Sequence, residues 1–202
     1  MNDNSLARTL KELRIKHKQE FEPRLREIAN DPERFNDYKK DLFEDWRYFL
    51  HLYQKVIKDE VHIANPREYV LLGVLVEGLV KIILFSDNPT KYLDQKKPEN
   101  RTLGTLNNEL TKSIKDTNDT KMVELRKSLE LITLLRNNFI HFPFYYSLDY
   151  RFRWLFFQVF AYLLDRFSLW EYLDDSEVEF IKKIAFEKPT GVSLLEVDLY
   201  EQ

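Results

Sequence analysis

Few residues in this chain are able to interrupt a helix. Only 4 of its 202 residues are glycine and 7 are proline, so the two strongest helix breakers are scarce. Three prolines directly follow an aspartate or asparagine, as Asp31-Pro32, Asn65-Pro66 and Asn88-Pro89. The first two pairs are typical of helix starts, because the Asx side chain caps the first turn and proline fits its first position. We expect the third pair to end a helix.

Between these breakpoints the hydrophobic periodicity predicts an all-α protein. Apolar residues recur at helical spacing, and no sustained alternation indicates a sheet. We expect a helical bundle of six or seven helices with a short irregular C-terminal tail. The predicted helices are residues 4–30, 32–58, 66–86, 102–114, 120–141, a long helix that begins at Ser147 or Asp149 and ends at Tyr172, and 175–186. We expect a break or kink at Pro23 in the first of them. Residues 87–101 are predicted to be a polar loop, and residues 192–199 are a candidate strand.

The chain length fits one domain with a substantial core. Within residues 1–202 we expect N-terminal helices in 1–60, a core bundle in 66–172, and a last helix and tail in 173–202. The N terminus is polar and lacks the features of a signal peptide. The apolar run 70–85 is short for a membrane span and carries two charged residues. We therefore predict a cytoplasmic protein without membrane contact.

Composition excludes several classes of site. The chain has no cysteine, which excludes disulfides, thiolate metal sites and cysteine nucleophiles. His17, His51 and His62 have no metal-ligand spacing, so we expect neither a metal nor another cofactor. The formal net charge is −3, which is not typical of a generally basic nucleic-acid-binding surface. Any RNA site must be a local patch.

One predicted helix carries an arginine where its pattern calls for an apolar residue. Leu125, Leu129 and Ile132 recur along the apolar stripe of residues 120–141, and at 100° per residue Arg136 lies about 20° from Leu125, within that stripe. An arginine does not lose its proton, so Arg136 must face a carboxylate, a wet cleft or a subunit interface. The alternative is that Arg136 extends to solvent from a helix end and His141 caps the last turn.

The sequence around this arginine resembles a known motif. Residues 135–142 read Leu-Arg-Asn-Asn-Phe-Ile-His-Phe and resemble the R-x4–6-H motif of the HEPN superfamily, which has a polar residue after the arginine, aliphatic residues before it and a hydrophobic residue after the histidine. The resemblance implies an all-helical, metal-independent endoribonuclease that acts as a homodimer, in toxins, phage defence or RNA processing. Other members are catalytically inactive binding or interaction modules, and that function is the alternative.

The resemblance and the chemistry of the side chains assign roles to the motif. His141 would be the general acid and base, since imidazole titrates near neutral pH. Arg136 would hold the scissile phosphate, and Asn137, four residues before His141, would orient the imidazole or the phosphate. HEPN-like sequences often have an acidic residue in the preceding helix, which points to Glu77 as the acceptor for Arg136. Glu77 and Lys81 are also spaced to pair with each other on an exposed edge.

The motif is followed by an aromatic-rich stretch, with 15 aromatic residues in 139–172. We interpret most of them as core and dimer-interface residues. Tyr145, Tyr146, Arg151 and Arg153 follow the motif closely and could line an RNA groove. The expected partners are an RNA substrate and a second copy of the chain, with an antitoxin or defence-system partner left open. Some toxin members carry a nucleotidylated tyrosine two residues after the histidine, but this chain has Pro143 there, so we do not expect that regulation.

Overall fold

The computed structural model describes residues 12, 15–59, 66–94, 102–113, 120–140 and 150–187, and those residues are mostly helical. Described in chain order, the helices are a π-helical turn His17–Phe21, α1 Glu22–Ala29, α2 Pro32–Asp59, α3 Pro66–Asp87, α4 Pro89–Asp94, α5 Leu103–Ser113, α6 Thr120–Ile140, α7 Tyr150–Arg166, a 3-10 turn Trp170–Tyr172, and α8 Asp175–Phe186. No strand occurs among the described residues. The predicted all-α bundle is therefore confirmed.

Side-chain caps explain where several helices begin. Asp31 Oδ1 accepts hydrogen bonds from the backbone N–H groups of Glu33 and Arg34, at 3.1 and 3.2 Å, at the start of α2. Asp174 and Glu177 form a reciprocal capping box at the start of α8, in which each side chain accepts the other residue's backbone N–H. These contacts satisfy N–H groups that the first turn of a helix leaves without a partner.

Two predicted boundaries were wrong. The loop 87–101 contains α4, because Asn88 Oδ1 accepts the N–H of Lys91 at 2.8 Å and caps a new helix that begins at Pro89. The long helix predicted to reach Tyr172 ends at Arg166. Just beyond that end, Ser168 has a φ of 53°, a left-handed conformation that does not continue a right-handed helix. The candidate strand 192–199 lies outside the described residues.

Helix α3 is the centre of the bundle and packs against α2, α5, α6 and α7. The indole N–H of Trp46, on α2, donates to the backbone oxygen of Leu75 at 2.8 Å. The indole packs where α3 carries Gly78, whose added Cβ would lie 3.2 Å from Trp46 Cδ1. By length and composition α3 would also be apolar enough to cross a membrane. Its buried residues are covered here by the other helices of the same chain, as expected for the core helix of a bundle.

The aromatic residues of α7 form the other main part of the core. Trp154, Phe156, Phe157 and Phe160 are buried, and Phe157 and Phe160 meet edge to face with their ring centroids 5.3 Å apart. The described part of the aromatic-rich stretch is therefore largely core, and the predicted contribution to a dimer interface stays a prediction. These large side chains pack closely, and α7 contacts α3. The core thus supports α3, the helix that Arg136 contacts.

Candidate functional site

Helix α6 presents the motif arginine at the end of a buried stripe. Leu125, Leu129 and Ile132 are fully buried against the core. Arg136 continues the same face of the helix, and its side chain is 27% exposed. The arginine therefore lies where the helix surface passes from the core to solvent, and its charged end has to be accommodated by α3.

Helix α5 also holds α6, through contacts near the buried stripe. The side-chain nitrogen of Asn107 donates to the backbone oxygen of Leu129 at 3.2 Å and to Thr133 Oγ1 at 2.9 Å. Thr133 lies one turn before Arg136 and also packs close to Gly104 of α5. Held between α3 and α5, the last described turn of α6 has a defined position and orientation.

Gly73 makes room for the aliphatic part of Arg136. A Cβ added at Gly73 would lie 2.7 Å from Arg136 Cγ, closer than two carbon atoms pack, and 3.5 Å from Arg136 Cβ. The arginine stem thus crosses α3 directly over a glycine backbone. Because Gly73 precedes Glu77 by four residues, the stem is directed along one face of α3 towards the carboxylate of Glu77.

Glu77 is shared between two cations. Arg136 Nη2 donates to Glu77 Oε2 at 2.9 Å, and Lys81 Nζ donates to Glu77 Oε1 at 2.6 Å. The side chains of Glu77 and Lys81 are 19% and 38% exposed. Both contacts considered from the sequence, the one within α3 and the one to Arg136, are therefore present together. One carboxylate and two cations leave a formal charge of +1 in this cluster, which suits an anion.

Asn137 lies beside the arginine on the solvent side. Arg136 Nη1 approaches Asn137 Oδ1 at 3.5 Å, a long contact with an exposed partner. A guanidinium has five N–H donors, and the contacts of Arg136 within the described residues are those to Glu77 and Asn137. Among the described residues, Glu77 thus fixes one edge of the guanidinium, and no second carboxylate contacts its other donors.

The remaining predicted site residues fall at or beyond the described segments. His141, Tyr145 and Tyr146 lie outside the described residues, and His141 directly follows the last residue of α6. Arg151 is helical within α7, but its side chain is not described. The structure thus brings together Arg136, Asn137, Glu77 and Lys81, and the predicted roles of His141, Tyr145, Tyr146 and Arg151 stay predictions.

Arg153 has a different environment from the one expected of an RNA-groove residue. Its guanidinium donates to both oxygens of Glu68 through Nε and Nη2, and Tyr53 donates its hydroxyl to Glu68 at 2.8 Å. The Glu68 side chain is 3% exposed. The hydrogen bonds to Glu68 raise the pKa of the Arg153 guanidinium, and burial raises the pKa of the Tyr53 phenol. Arg153 is thus committed to an ion pair that joins α7 to α3.

A third charged cluster, which the sequence did not predict, joins α2 to α8. Glu177 is fully buried and accepts from Arg47 Nε at 2.7 and 2.8 Å, and His51 Nε2 lies 2.9 Å from it. Arg47 Nη2 also donates to Asp174 at 2.8 Å. The hydrogen bond to Glu177 raises the pKa of Arg47, and the hydrogen bond from Ser176 lowers the pKa of Asp174. The four-residue spacing of Arg47 and His51 was the one sequence signal that both share a partner.

No family model matches the sequence, and neither a curated protein nor a solved structure matches it significantly. The functional argument therefore rests on the motif of α6 and on the contacts around Arg136. Within the described segments, His, Asp and Glu side chains form no group of three or more suited to a metal ion.

Replacing Gly73 with alanine should disturb Arg136 specifically. The added Cβ would meet Arg136 Cγ at 2.7 Å, so the arginine stem or the backbone beneath it must shift, and we expect the contact of the guanidinium with Glu77 to be displaced. A displacement of about 1 Å in a positioned catalytic group lowers rates by up to about 100-fold. For the ribonuclease activity that the motif resemblance implies, we expect cleavage by Gly73→Ala to fall by about 10–100-fold, measured under single-turnover conditions.

Gly104→Ala is the matched control for this change. Its added Cβ would lie 3.6 Å from Thr133 Cγ2, an ordinary contact with the same helix α6. Alanine favours the helix over glycine by about 0.5–1 kcal/mol, so Gly104→Ala should keep wild-type cleavage and equal or exceed wild-type stability. Equal cleavage rates in both variants would contradict the role given to Gly73.

Proposed function

We propose that this protein is a metal-independent endoribonuclease that cleaves single-stranded or looped RNA through Arg136 and His141. The observation that carries the proposal is the setting of Arg136. It is a partly buried arginine, braced by Glu77 at 2.9 Å and beside a second cation, within a motif that resembles that of the HEPN ribonucleases. The biological context would be a toxin or phage-defence system.

The proposed reaction is an internal transesterification of the RNA backbone. The ribose 2′-oxygen attacks the adjacent phosphorus while a base takes the 2′-proton, and the bond from phosphorus to the 5′-oxygen breaks as an acid protonates that oxygen. The products are a 2′,3′-cyclic phosphate and a 5′-hydroxyl, and no metal is consumed or required. His141 would supply the proton transfer, because an imidazole with a pKa near neutrality serves as either base or acid.

Arg136 would stabilise the charge that develops on the phosphate. A guanidinium binds phosphate oxygens through charge-assisted, often bidentate hydrogen bonds. Donors fixed before the reaction contribute most, since they need no reorganisation when the charge develops. The contact with Glu77 and the passage over Gly73 provide this preorganisation, and Asn137 lies at the exposed side where the imidazole of His141 or the phosphate would be oriented.

The proposal includes a homodimer with the motif helices close together. The motif has one histidine per chain, which is few for a reaction that needs both a base and an acid, and two-fold pairing would supply a second. Val70 and Val74 support this arrangement, because both are exposed and share the face of α3 that carries Glu77 and Lys81. An exposed apolar strip beside a polar site fits a subunit interface better than open solvent.

A charge placed in this strip should separate the subunits. We expect Val74→Asp to turn a dimer into a monomer in light scattering at micromolar concentration, and to lose cleavage with it, because two buried carboxylates would face each other across the axis. Val123→Asp changes a more exposed valine on the far side of α6 and should remain dimeric. A wild-type protein that is monomeric under these conditions would refute the dimer.

The alternative function is a catalytically inactive helical binding module. It is favoured by the fact that Arg136 already has a carboxylate partner, which a purely structural arginine would also have. Metal-free incubation of the wild-type protein with single-stranded RNA in EDTA separates the two. We expect fragments with 5′-hydroxyl and 2′,3′-cyclic phosphate ends. Retention of RNA without cleavage would identify the binding module.

A further inference from the structure

The described structure contains three interhelical arginine–glutamate pairs, and the glutamate of each is mostly buried. The cluster around one of these glutamates differs from the other two in its net charge. Glu68 and Glu177 are 3% and 0% exposed. Glu68 is paired with one arginine and a phenol. Glu177 is paired with Arg47 and with His51, and Arg47 also pairs with Asp174. These two clusters carry no excess of lysine and arginine charge, and a carboxylate buried this deeply requires a counter-charge for the fold.

The cluster around Glu77 has two permanent cations for one carboxylate. Glu77 is also the most exposed of the three carboxylates, with 19% of its side chain exposed, and the Lys81 side chain is 38% exposed. A single arginine would neutralise Glu77, so Lys81 is not needed for that purpose. Its position adds a positive charge to a partly desolvated surface, where the attraction for an anion is stronger than in bulk water.

We propose that Lys81 binds the RNA phosphate next to the one that Arg136 holds, so that the two cations span neighbouring phosphodiesters of one strand. This inference rests on the proposed ribonuclease function and assigns part of its substrate contact. Both nitrogens lie within hydrogen-bond distance of the same carboxylate, at 2.6 and 2.9 Å. Glu77 therefore holds the two cations close to each other, where one RNA strand can contact both.

Lys81 contributes through charge and not through base recognition. An ammonium is a compact point charge with rotatable donors, so its effect should be independent of RNA sequence. For a single strand, each neutralised phosphate adds about 0.7 to the slope of log affinity against log salt concentration. Loss of this contact is therefore visible as a smaller salt slope, which a purely structural lysine would not change.

The test is RNA binding in a protein that cannot cleave. Fluorescence anisotropy of a labelled, mixed-sequence single-stranded RNA is measured with the full chain carrying His141→Ala, from low to moderate salt. Adding Lys81→Gln should weaken binding several-fold at low salt and lower the salt slope by about 0.7. Adding Lys40→Gln instead makes the same change of net charge at an exposed lysine that pairs with Asp37 at 3.1 Å. This control should leave affinity and slope unchanged.

Glu77→Gln in the same background separates a charge effect from a folding effect. Removing the carboxylate leaves two cations without an anion, so RNA binding should tighten, whereas a Lys81 that acted only through the packing of Glu77 would make both variants bind more weakly. An unchanged salt slope in Lys81→Gln, or a salt slope in Glu77→Gln that falls as far as the slope in Lys81→Gln, overturns the inference. If the wild type fails to cleave RNA but Lys81→Gln still lowers the slope, the nuclease function fails and the phosphate site stands. If the wild type cleaves and the slope does not change, only the role of Lys81 fails.

Discussion

Arg136→Ala should lower the rate of RNA cleavage by about 10²–10³-fold, because it removes a preorganised donor aimed at the developing charge on the phosphate. The fold should persist. Glu77 keeps its contact with Lys81 at 2.6 Å, and the pair with Arg136 is open to solvent on one side, so the loss of unfolding free energy should be about 1 kcal/mol. Single-turnover cleavage and thermal unfolding measure the two effects separately.

Arg126→Ala is the matched control for this change. Arg126 lies on the same helix and also pairs with a glutamate, Glu130, at 3.0 Å, but both side chains are exposed. Its removal should change neither cleavage nor stability measurably. Arg136→Lys refines the result, since a lysine keeps the charge but loses the planar set of donors, and should recover only part of the activity. Full activity of Arg136→Ala would assign the arginine to the fold alone.

Arg153→Ala should have the largest effect on stability. It would leave the carboxylate of Glu68, which is almost fully buried, without a counter-charge. Breaking a buried ion pair in this way costs about 3–5 kcal/mol, and because Arg153 itself is partly exposed we expect about 3 kcal/mol, at the lower end of that range. Urea unfolding should show a lower midpoint with an unchanged slope.

A double variant distinguishes an unpaired charge from lost packing. Glu68→Gln together with Arg153→Met removes both charges, keeps an oxygen that accepts the hydroxyl of Tyr53, and fills most of the volume. It should recover most of the stability lost by Arg153→Ala, since replacing both partners of a buried pair is far less costly than removing one. Arg166→Ala, at an exposed position of the same helix, should have little effect. A stable Arg153→Ala would contradict the structural role.

The ion pair between Arg153 and Glu68 also affects how RNA binding is interpreted. Arg153 follows the motif closely and was expected to be able to line an RNA groove, yet its guanidinium is held by both oxygens of Glu68. A loss of cleavage in Arg153 variants therefore has to be compared with their stability before RNA contact is inferred. Tyr145, Tyr146 and Arg151 stay the other predicted groove residues.

Local sequence signals were sufficient for most helices. Asp31-Pro32 and the apolar periodicity of 120–141 predicted where α2 and α6 lie, because capping and periodicity act within a few residues. Asn88-Pro89 was interpreted only as an end of α3, although the same pair of residues also starts α4. The end of α7 was missed because a serine in a left-handed conformation leaves no compositional trace.

The candidate site was predictable only in part. An arginine on an apolar stripe requires a carboxylate, a wet cleft or a subunit interface. The motif resemblance pointed to Glu77 as the carboxylate, and the structure shows that contact. Gly73 was not predicted, because its role depends on two helices crossing at that residue. The ion pair between Glu68 and Arg153 was not predicted either, because the two residues are far apart in sequence and share no periodic pattern.

The most direct test of the central claim compares wild type with His141→Ala on one single-stranded RNA in EDTA, with purified full-length chains of equal thermal stability. The wild type should cleave and leave 5′-hydroxyl and 2′,3′-cyclic phosphate ends, and His141→Ala should be slower by about 10²–10⁴-fold, the contribution of a positioned acid–base group. Equal cleavage by both proteins, or no cleavage by the wild type, would contradict the claim that the Arg136–His141 motif is a ribonuclease site.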